Sequence, residues 1–489
     1  VGEPGSLLDD DPAARLIAGA VVEPLVRRNA LEEFEPRLVV EVPTFENRGL
    51  RLVDDDPTAP TGRLVATFRL RDGLRWHDGR PLTSEDVRFA FDEDRSAPPG
   101  SEARALADRV ERLETDDERT FRVVYRAGER WENYPLAPRA LPRHRLANAS
   151  AQERALYASR PVHAGPFRIA ERVPGSHVTL VAFPEHGLGP PALGRIEVRF
   201  FSDRLAVLAA LRRGDVGVAP SPVFEADLAR TLDRFGDESG LLVYWTAGES
   251  LEVLRFGGRL AEPAVRQAVA LAVDRERIGR SLFAGRARIP RTYLVPPLWA
   301  AAETGSLPRV DRDAARSLLA DAHFRRGNFG ILERDGARLI VTILVASGSP
   351  ARLEVARAIA ADLAVVGIAA DVSERARTQL EATIARGDFQ LAIVPEPAQD
   401  AAAASERYRG LVDPWYDVLI AAAGAATDRV EKKALYAEAQ RLWSEALPAL
   451  PLHQQLRVDV APARLDGVRP PPHDAPLTWN VREWRFRAP

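Results

Sequence analysis

The sequence predicts a mixed α/β fold built in more than one domain. Three observations carry that expectation. The chain has 489 residues, 46% of them hydrophobic and 28% charged, which is enough apolar material for two or three cores. Segments with strand alternation are repeatedly followed by segments with helical spacing. The punctuation between them is dense in Asp-Gly turns and helix-capping acids.

The clearest run is "RLRDGLRWHDGRPLTSEDVRFAFD" with the strand before it. In "LVATFRL", Leu64, Ala66, Phe68 and Leu70 alternate with Val65, Thr67 and Arg69, the period of a strand. Asp72-Gly73 and Asp78-Gly79 supply two turns, and Leu74 and Trp76 fall on one side between them. Thr83 is a good helix N-cap, with Asp86 at the acid position of a capping box and Glu85 favourable to the helix dipole. Val87, Ala90 and Phe91 then form the apolar stripe. His77 beside Asp78 invites a catalytic reading, but no second His or nucleophile accompanies it. It reads as scaffold.

Farther along, "RTFRVVY" and "HVTLVAF" are strand-like, and the mixed-charge run "EDRSAPPGSEARALADRVERLETDDERTFR" reads as a solvated helical face. "RIEVRFFSDRLAVLAALRRGDVGVA" predicts strand, helix, strand. Ser202 is its cap, Leu205, Leu208 and Leu211 its stripe, Gly214 its stop, and "DVGVA" the next strand. Pro263 opens a helix with Val265, Val269 and Ala272 on one face. Ala315, Leu318, Leu319 and Ala322 recur at helical spacing. Gly367 ends a long helix, "RGDFQLAIV" is a strand, and a last helix stops at Pro448. Pro397 to Gly410 is the least patterned loop.

Composition removes several chemistries. There is no Cys, so disulfides, thiolate catalysis and Cys-based zinc sites are excluded. Net charge is −3 with the signs interleaved, which argues against a nucleic-acid partner. The basic residues are almost all Arg, Lys432 and Lys433 being the exceptions, and there is no Met. No run has the apolar length of a membrane span, and no signal peptide is visible at the start. The chain opens without Met, which is consistent with a trimmed export signal. Nucleophile-elbow, P-loop and dinucleotide patterns are missing, and the eight histidines show neither H-x-H nor H-x-x-x-H spacing. No cofactor, metal or catalytic constellation is expected, which moves weight from enzyme to binding protein.

The segment "LRDGLRWHDGRPLTSEDVRFAFD" closely resembles the signature of the family 5 extracellular solute-binding proteins, the oligopeptide, dipeptide and nickel-binding components of ABC importers. "PVHAGPFRIAERVPGSHVTLVAFPEH", "LAALRRGDVGVAP", "EPAVRQAVALAVDRERIGRSLFAGRARIPRTYLVPP", "ARAIAADLAVVGIAADV", "RGDFQLAIV" and the closing "WNVREW" follow in the family's order over nearly the whole chain. The resemblance implies a two-lobed periplasmic-binding-protein fold with an extra subdomain inserted in lobe one. Lobe one would hold 1–32, 160–247 and 453–489, the insertion 33–159, and lobe two 248–452. Crossings are expected near Gly248 and Leu452, with hinges at Gly165 and Gly248.

The implied function is extracytoplasmic capture of a peptide-like or other small polar ligand between the lobes and delivery to ABC permease subunits. The chain is expected to act as a monomer, in the periplasm or as a cell-surface lipoprotein. The ligand contacts implied are Ser221, Trp245, Glu249, Glu396 and Asp400. Departures concern function. "LEVLRFGG" lacks the family's Asn, and the loop "VPEPAQDAAAA" lacks the Trp that accompanies the peptide-anchoring Asp. These leave a second reading, a non-transport regulator or scaffold with a degenerate or self-filled cleft.

Overall fold

Alternation along Arg63–Arg69 and Thr120–Tyr125 puts Phe68 and Phe121 on one face, where their rings stack at 5.2 Å. A computed structural model of the chain describes all residues except 1–10, 30–32, 54–61, 128–132, 225–239, 261, 297, 303–306, 398–400, 427, 473–474 and 488–489, and except the side chains of residues 102, 222 and 249. The described residues fall into two compact units. One comes from the described parts of Val1–Phe224, Gly236–Tyr244 and Asp459–Pro489, the other from those of Trp245–Val458. The chain therefore changes unit at Tyr244/Trp245 and at Val458/Asp459, a few residues from the positions expected at Gly248 and Leu452.

The first unit has two cores. One gathers Phe68, Trp76, Phe121 and Tyr125 against an antiparallel sheet ordered Leu50–Val53, Arg63–Arg69, Thr120–Tyr125, Val110–Thr115. The other packs Ile17, Phe167, Leu180 and Trp484 between helix Pro12–Val21 and the sheet Phe167–Val173, His177–Ala182, Arg195–Arg199. In the second unit one core surrounds the strands Leu241–Phe256, Leu391–Pro397, Ile340–Ala346 and Ala369–Arg375, with Ala449–Pro462 on the other side of Leu241–Phe256. Ile340–Ala346 runs parallel to both its neighbours, and Leu241–Phe256 pairs antiparallel with Leu391–Pro397.

Several boundaries differ from expectation for identifiable reasons. The helix Arg204–Arg213 is capped by Asp203, whose carboxylate accepts from Ala206 N at 2.9 Å, not by Ser202. Val207, Ala210 and Leu211 face inward while Leu205 is exposed, so the stripe is rotated from the predicted one. Gly214 does end it, with φ 77. The next strand is Ala219–Phe224, later than "DVGVA". The mixed-charge run contains a strand, Val110–Thr115, after a short helix, Glu102–Asp108. The unpatterned loop contains a helix, Ala401–Glu406. Helix Arg429–Ala446 ends one residue before Pro448, at Leu447 in the left-handed region.

Candidate functional site

Of the described residues proposed from sequence, Trp245 and Glu249 lie in strand Leu241–Phe256, which changes unit, and Glu396 lies in its neighbour Leu391–Pro397. Trp245 is the first residue of the second unit, half-buried in strand Leu241–Phe256, with the Arg286 guanidinium 5.0 Å from its ring centroid. That geometry is a cation–π contact. Beside it Thr246 Oγ1 is buried and has no hydrogen-bond partner among the described residues. Ser221 lies in Ala219–Phe224 in the first unit, where its backbone N–H donates to the buried Asp459 carboxylate at 2.7 Å. Glu249 continues Leu241–Phe256, and its side chain lies outside what is described, as does Asp400 entirely.

Glu396 is buried in Leu391–Pro397, opposite Leu251. Its carboxylate accepts from Arg255 Nε at 2.6 Å and from the Tyr408 hydroxyl, and lies 3.5 Å from Arg407 Nη1. Arg407 also donates to Pro397 O at 2.8 Å. The acid thus finds charge-assisted partners within its own unit, the condition for burying a carboxylate. Burial, then the adjacent Glu396 charge, holds the Tyr408 phenol well above its ordinary range, so Tyr408 remains a donor.

Two groups of this unit were not anticipated. Glu252, on the opposite strand face from Glu396, is buried, takes a bidentate Arg352 at 2.9 and 2.6 Å, and accepts from Gln455 Nε2 at 2.9 Å. An acid among Leu251, Val253 and Leu254 was the available sign, because a carboxylate in an apolar run needs a buried partner. Gln454 has no such sign. Its buried amide donates to Gly248 O at 2.7 Å and joins the two strands that change unit.

The hinge glycines separate. Gly165 lies inside the first unit, and a Cβ there would sit 2.4 Å from the Val21 carbonyl carbon. Close packing, not interlobe bending, requires glycine at that position. Gly248 lies in a strand that changes unit, and a Cβ there would meet Gln455 O at 3.4 Å and the Arg457 side chain at 3.5 Å, both ordinary contacts.

His77 is fixed by its neighbours as a neutral ring. Its Nδ1 is 3.4 Å from the His163 N–H, its Nε2 is 3.0 Å from Gly165 O, and its own N–H donates to His163 O at 2.7 Å. Burial lowers its pKa to about 4. The Asp78 carboxylate turns elsewhere, to His144 and Arg145, each at 2.8 Å. No proton-transfer pair exists at His77 and Asp78. Among the described residues no group of three or more His, Asp or Glu is arranged to hold a metal ion, and no helix is long and apolar enough to cross a membrane.

Comparison with known proteins agrees with this architecture. The profile of the bacterial extracellular solute-binding proteins, family 5 middle region, matches residues 51–405. The oligopeptide-binding protein AppA of Bacillus subtilis is 24% identical over 447 residues, covering 86% of this chain and 81% of AppA. A putative ABC transporter peptide-binding protein of Brucella ovis is 30% identical over 344 residues, 68% of this chain and 62% of that protein. The structure of NikA from Brucella suis, solved with Fe(III)-EDTA, superposes with a TM-score of 0.82 at 19% identity, covering 99% of this chain and 98% of NikA. These structural neighbours are two-lobed binding proteins, and the same fold is shown here. By sequence match and by architecture, the chain belongs to the family 5 bacterial extracellular solute-binding proteins.

Proposed function

We propose that this protein captures a peptide-like or other small polar solute between its two lobes outside the cytoplasm and delivers it, as a monomer, to the permease subunits of an ABC importer. One observation carries the reading: the fold matches importer components over nearly the whole chain. No bond-making step is needed. A ligand that touches both lobes adds contacts available only in a closed form, and the closed form is then favoured.

Trp245, Ser221, Glu249 and Asp400 are the proposed contacts. Trp245 offers an apolar face, and the two acids suit a cationic group such as a peptide amine. Glu396 is proposed as a positioning residue. With Arg407 on Pro397 O, it fixes the strand end that leads to Asp400. The neighbours support more than one ligand class, since AppA was solved with a nonapeptide and NikA with a metal chelate.

The deciding experiment is a native mass spectrum of freshly purified protein, followed by titration with the molecule released on unfolding. Saturable rebinding is expected, weakened about tenfold (~1.4 kcal/mol) or more by Trp245→Ala. A protein that carries no small molecule and binds neither di- nor oligopeptides would overturn the proposal in favour of a scaffold with a self-filled cleft.

A further inference from the structure

The side chain of His186 is fully enclosed within the first unit. Both of its ring nitrogens face oxygen acceptors. Nδ1 lies 3.0 Å from Gly189 O, and Nε2 lies 3.1 Å from the Glu23 carboxylate. Glu23 is itself buried, and its other oxygen accepts from the buried Arg37 Nε at 2.6 Å. Burial pushes the Glu23 carboxyl up, but the hydrogen bonds and charges of His186 and Arg37 outweigh it and hold the group below its ordinary range. Glu23 is therefore an anion, and an anion only accepts.

The proton count of the ring follows from these partners. A neutral imidazole donates through one nitrogen and presents a lone pair at the other, whereas the imidazolium donates through both. With a carboxylate at Nε2, the last proton stays there, in a charge-assisted bond. Neutral His186 then turns the Nδ1 lone pair toward Gly189 O, acceptor against acceptor. Only the cation satisfies both oxygens in the observed geometry.

These partners belong to different parts of the unit. Glu23 follows helix Pro12–Val21, which packs in one core, and Arg37 precedes Leu38 and Val39, which pack in the other. Gly189, at φ 91, closes a turn by donating its N–H to His186 O at 2.8 Å. Within that turn, a Cβ on Gly187 would lie 2.5 Å from Leu74 Cδ2, a side chain of the same core as Leu38. The turn itself continues from strand His177–Ala182, whose Val178 and Leu180 belong to the core of Ile17. His186 thus stands at the joint between the two cores of the first unit.

The other charged groups at the joint come from every segment around it. Glu35 accepts from Arg37 at 3.3 Å and from Arg27 at 2.8 Å. Arg482 donates to Leu188 O at 3.0 Å, and the Glu483 charge is felt at Arg37. Glu185 turns to Arg75 at 3.4 Å. A positive His186 opposes protonation of His77. We infer that His186 is a proton-operated clamp on this joint: its cation ties Glu23 to the Gly189 turn, and its neutral form releases the turn. The cation gains two acceptors on folding that the neutral ring cannot both use. The clamp is therefore complete at low pH and is lost as the pH rises through the range where histidine titrates.

The test is NMR of nitrogen-labelled histidine rings, with backbone hydrogen exchange, at about pH 5.5 and about pH 8. Contacts with Gly189 assign the His186 ring. Two protonated nitrogens are expected at the lower pH and one, Nε2, at the higher. Over the same interval the protection of the Gly187, Leu188 and Gly189 amides, corrected for the intrinsic pH dependence of exchange, should fall about tenfold. Protection at Leu254 and Val394, strand residues of the second unit, should not change. In His186→Gln, whose side chain does not titrate, the fall should be absent. If that variant does not fold, the wild-type ring and its protection decide alone. The same proton count at both pH values, unchanged protection in the turn, or a fall that persists in His186→Gln overturns the inference.

Discussion

At the scale of single residues, the sharpest consequence comes from His77 and His163, two histidines that the fold keeps neutral. Burial lowers His77 to about 4 and His163 to about 3, from an ordinary 6.5. Between those values and 6.5 the unfolded chain takes up protons that the folded chain refuses. Stability is therefore complete above pH 6.5 and falls as the pH drops toward 4. At pH 5 a histidine held near 4 costs about 2 kcal/mol. Urea unfolding at pH 7 and pH 5 should show wild type losing more stability on acidification than His77→Gln, by about that amount. An identical loss in both proteins would mean that His77 charges freely in the folded state. The same geometry explains why the pair His77-Asp78 is not a reaction centre. A protonated Nδ1 would point at the His163 N–H, donor against donor.

At the scale of elements, what could be read from the sequence was whatever one residue type specifies by itself. Gly73 and Gly79 take φ 69 and 83 in the two Asp-Gly turns, and Asp86 accepts the Thr83 N–H at 2.9 Å as the capping box predicts. Elements set by competition or context were less legible. Ser202 and Asp203 both suit a cap, and the ionised acid takes it. The alanines of Ala401–Glu406 give no apolar contrast, so a favourable helix propensity left no periodic trace. In Val110–Thr115 the charges mask a strand whose Val110 is buried. Of the candidate contacts, the sequence shows the place along the chain but not the bonding. Trp245 does stand where the chain changes unit, whereas the partners of Glu396 come from 255, 407 and 408, distances in sequence that no motif records. A further element-scale consequence concerns Gly257, at the end of strand Leu241–Phe256. A Cβ there would lie 2.1 Å from Phe389 O and 2.7 Å from its carbonyl carbon, both backbone atoms of the neighbouring segment. Gly257→Ala must displace a strand end that also carries the Gly257 N–H to Gln390 O bond of 2.9 Å. The expected loss is about 2 kcal/mol or more in denaturant unfolding, and a loss under about 0.5 kcal/mol would show that this edge is not tightly held.

At the scale of the whole molecule, the two units are joined through strands, and a strand resists bending where its backbone is bonded on both sides. Gly248 is the place to look for compliance. It belongs to Leu241–Phe256, and its carbonyl is held by the Gln454 amide from the other strand that changes unit. Replacing Gln454 with Ala leaves that carbonyl without its side-chain donor and the surrounding cavity unfilled, at a cost of about 1–3 kcal/mol. If closure about these strands follows ligand capture, the released solute should reduce the radius of gyration measured by small-angle scattering. It should also raise stability by about 2.7 kcal/mol at a hundred times its Kd. Gln454→Ala should alter the two quantities differently. The compaction at saturation should survive, because the ligand still bridges the lobes, while the affinity changes, because the balance between open and closed forms has moved. A radius of gyration indifferent to saturating solute in the wild-type protein would refute closure by these strands, whatever the solute is.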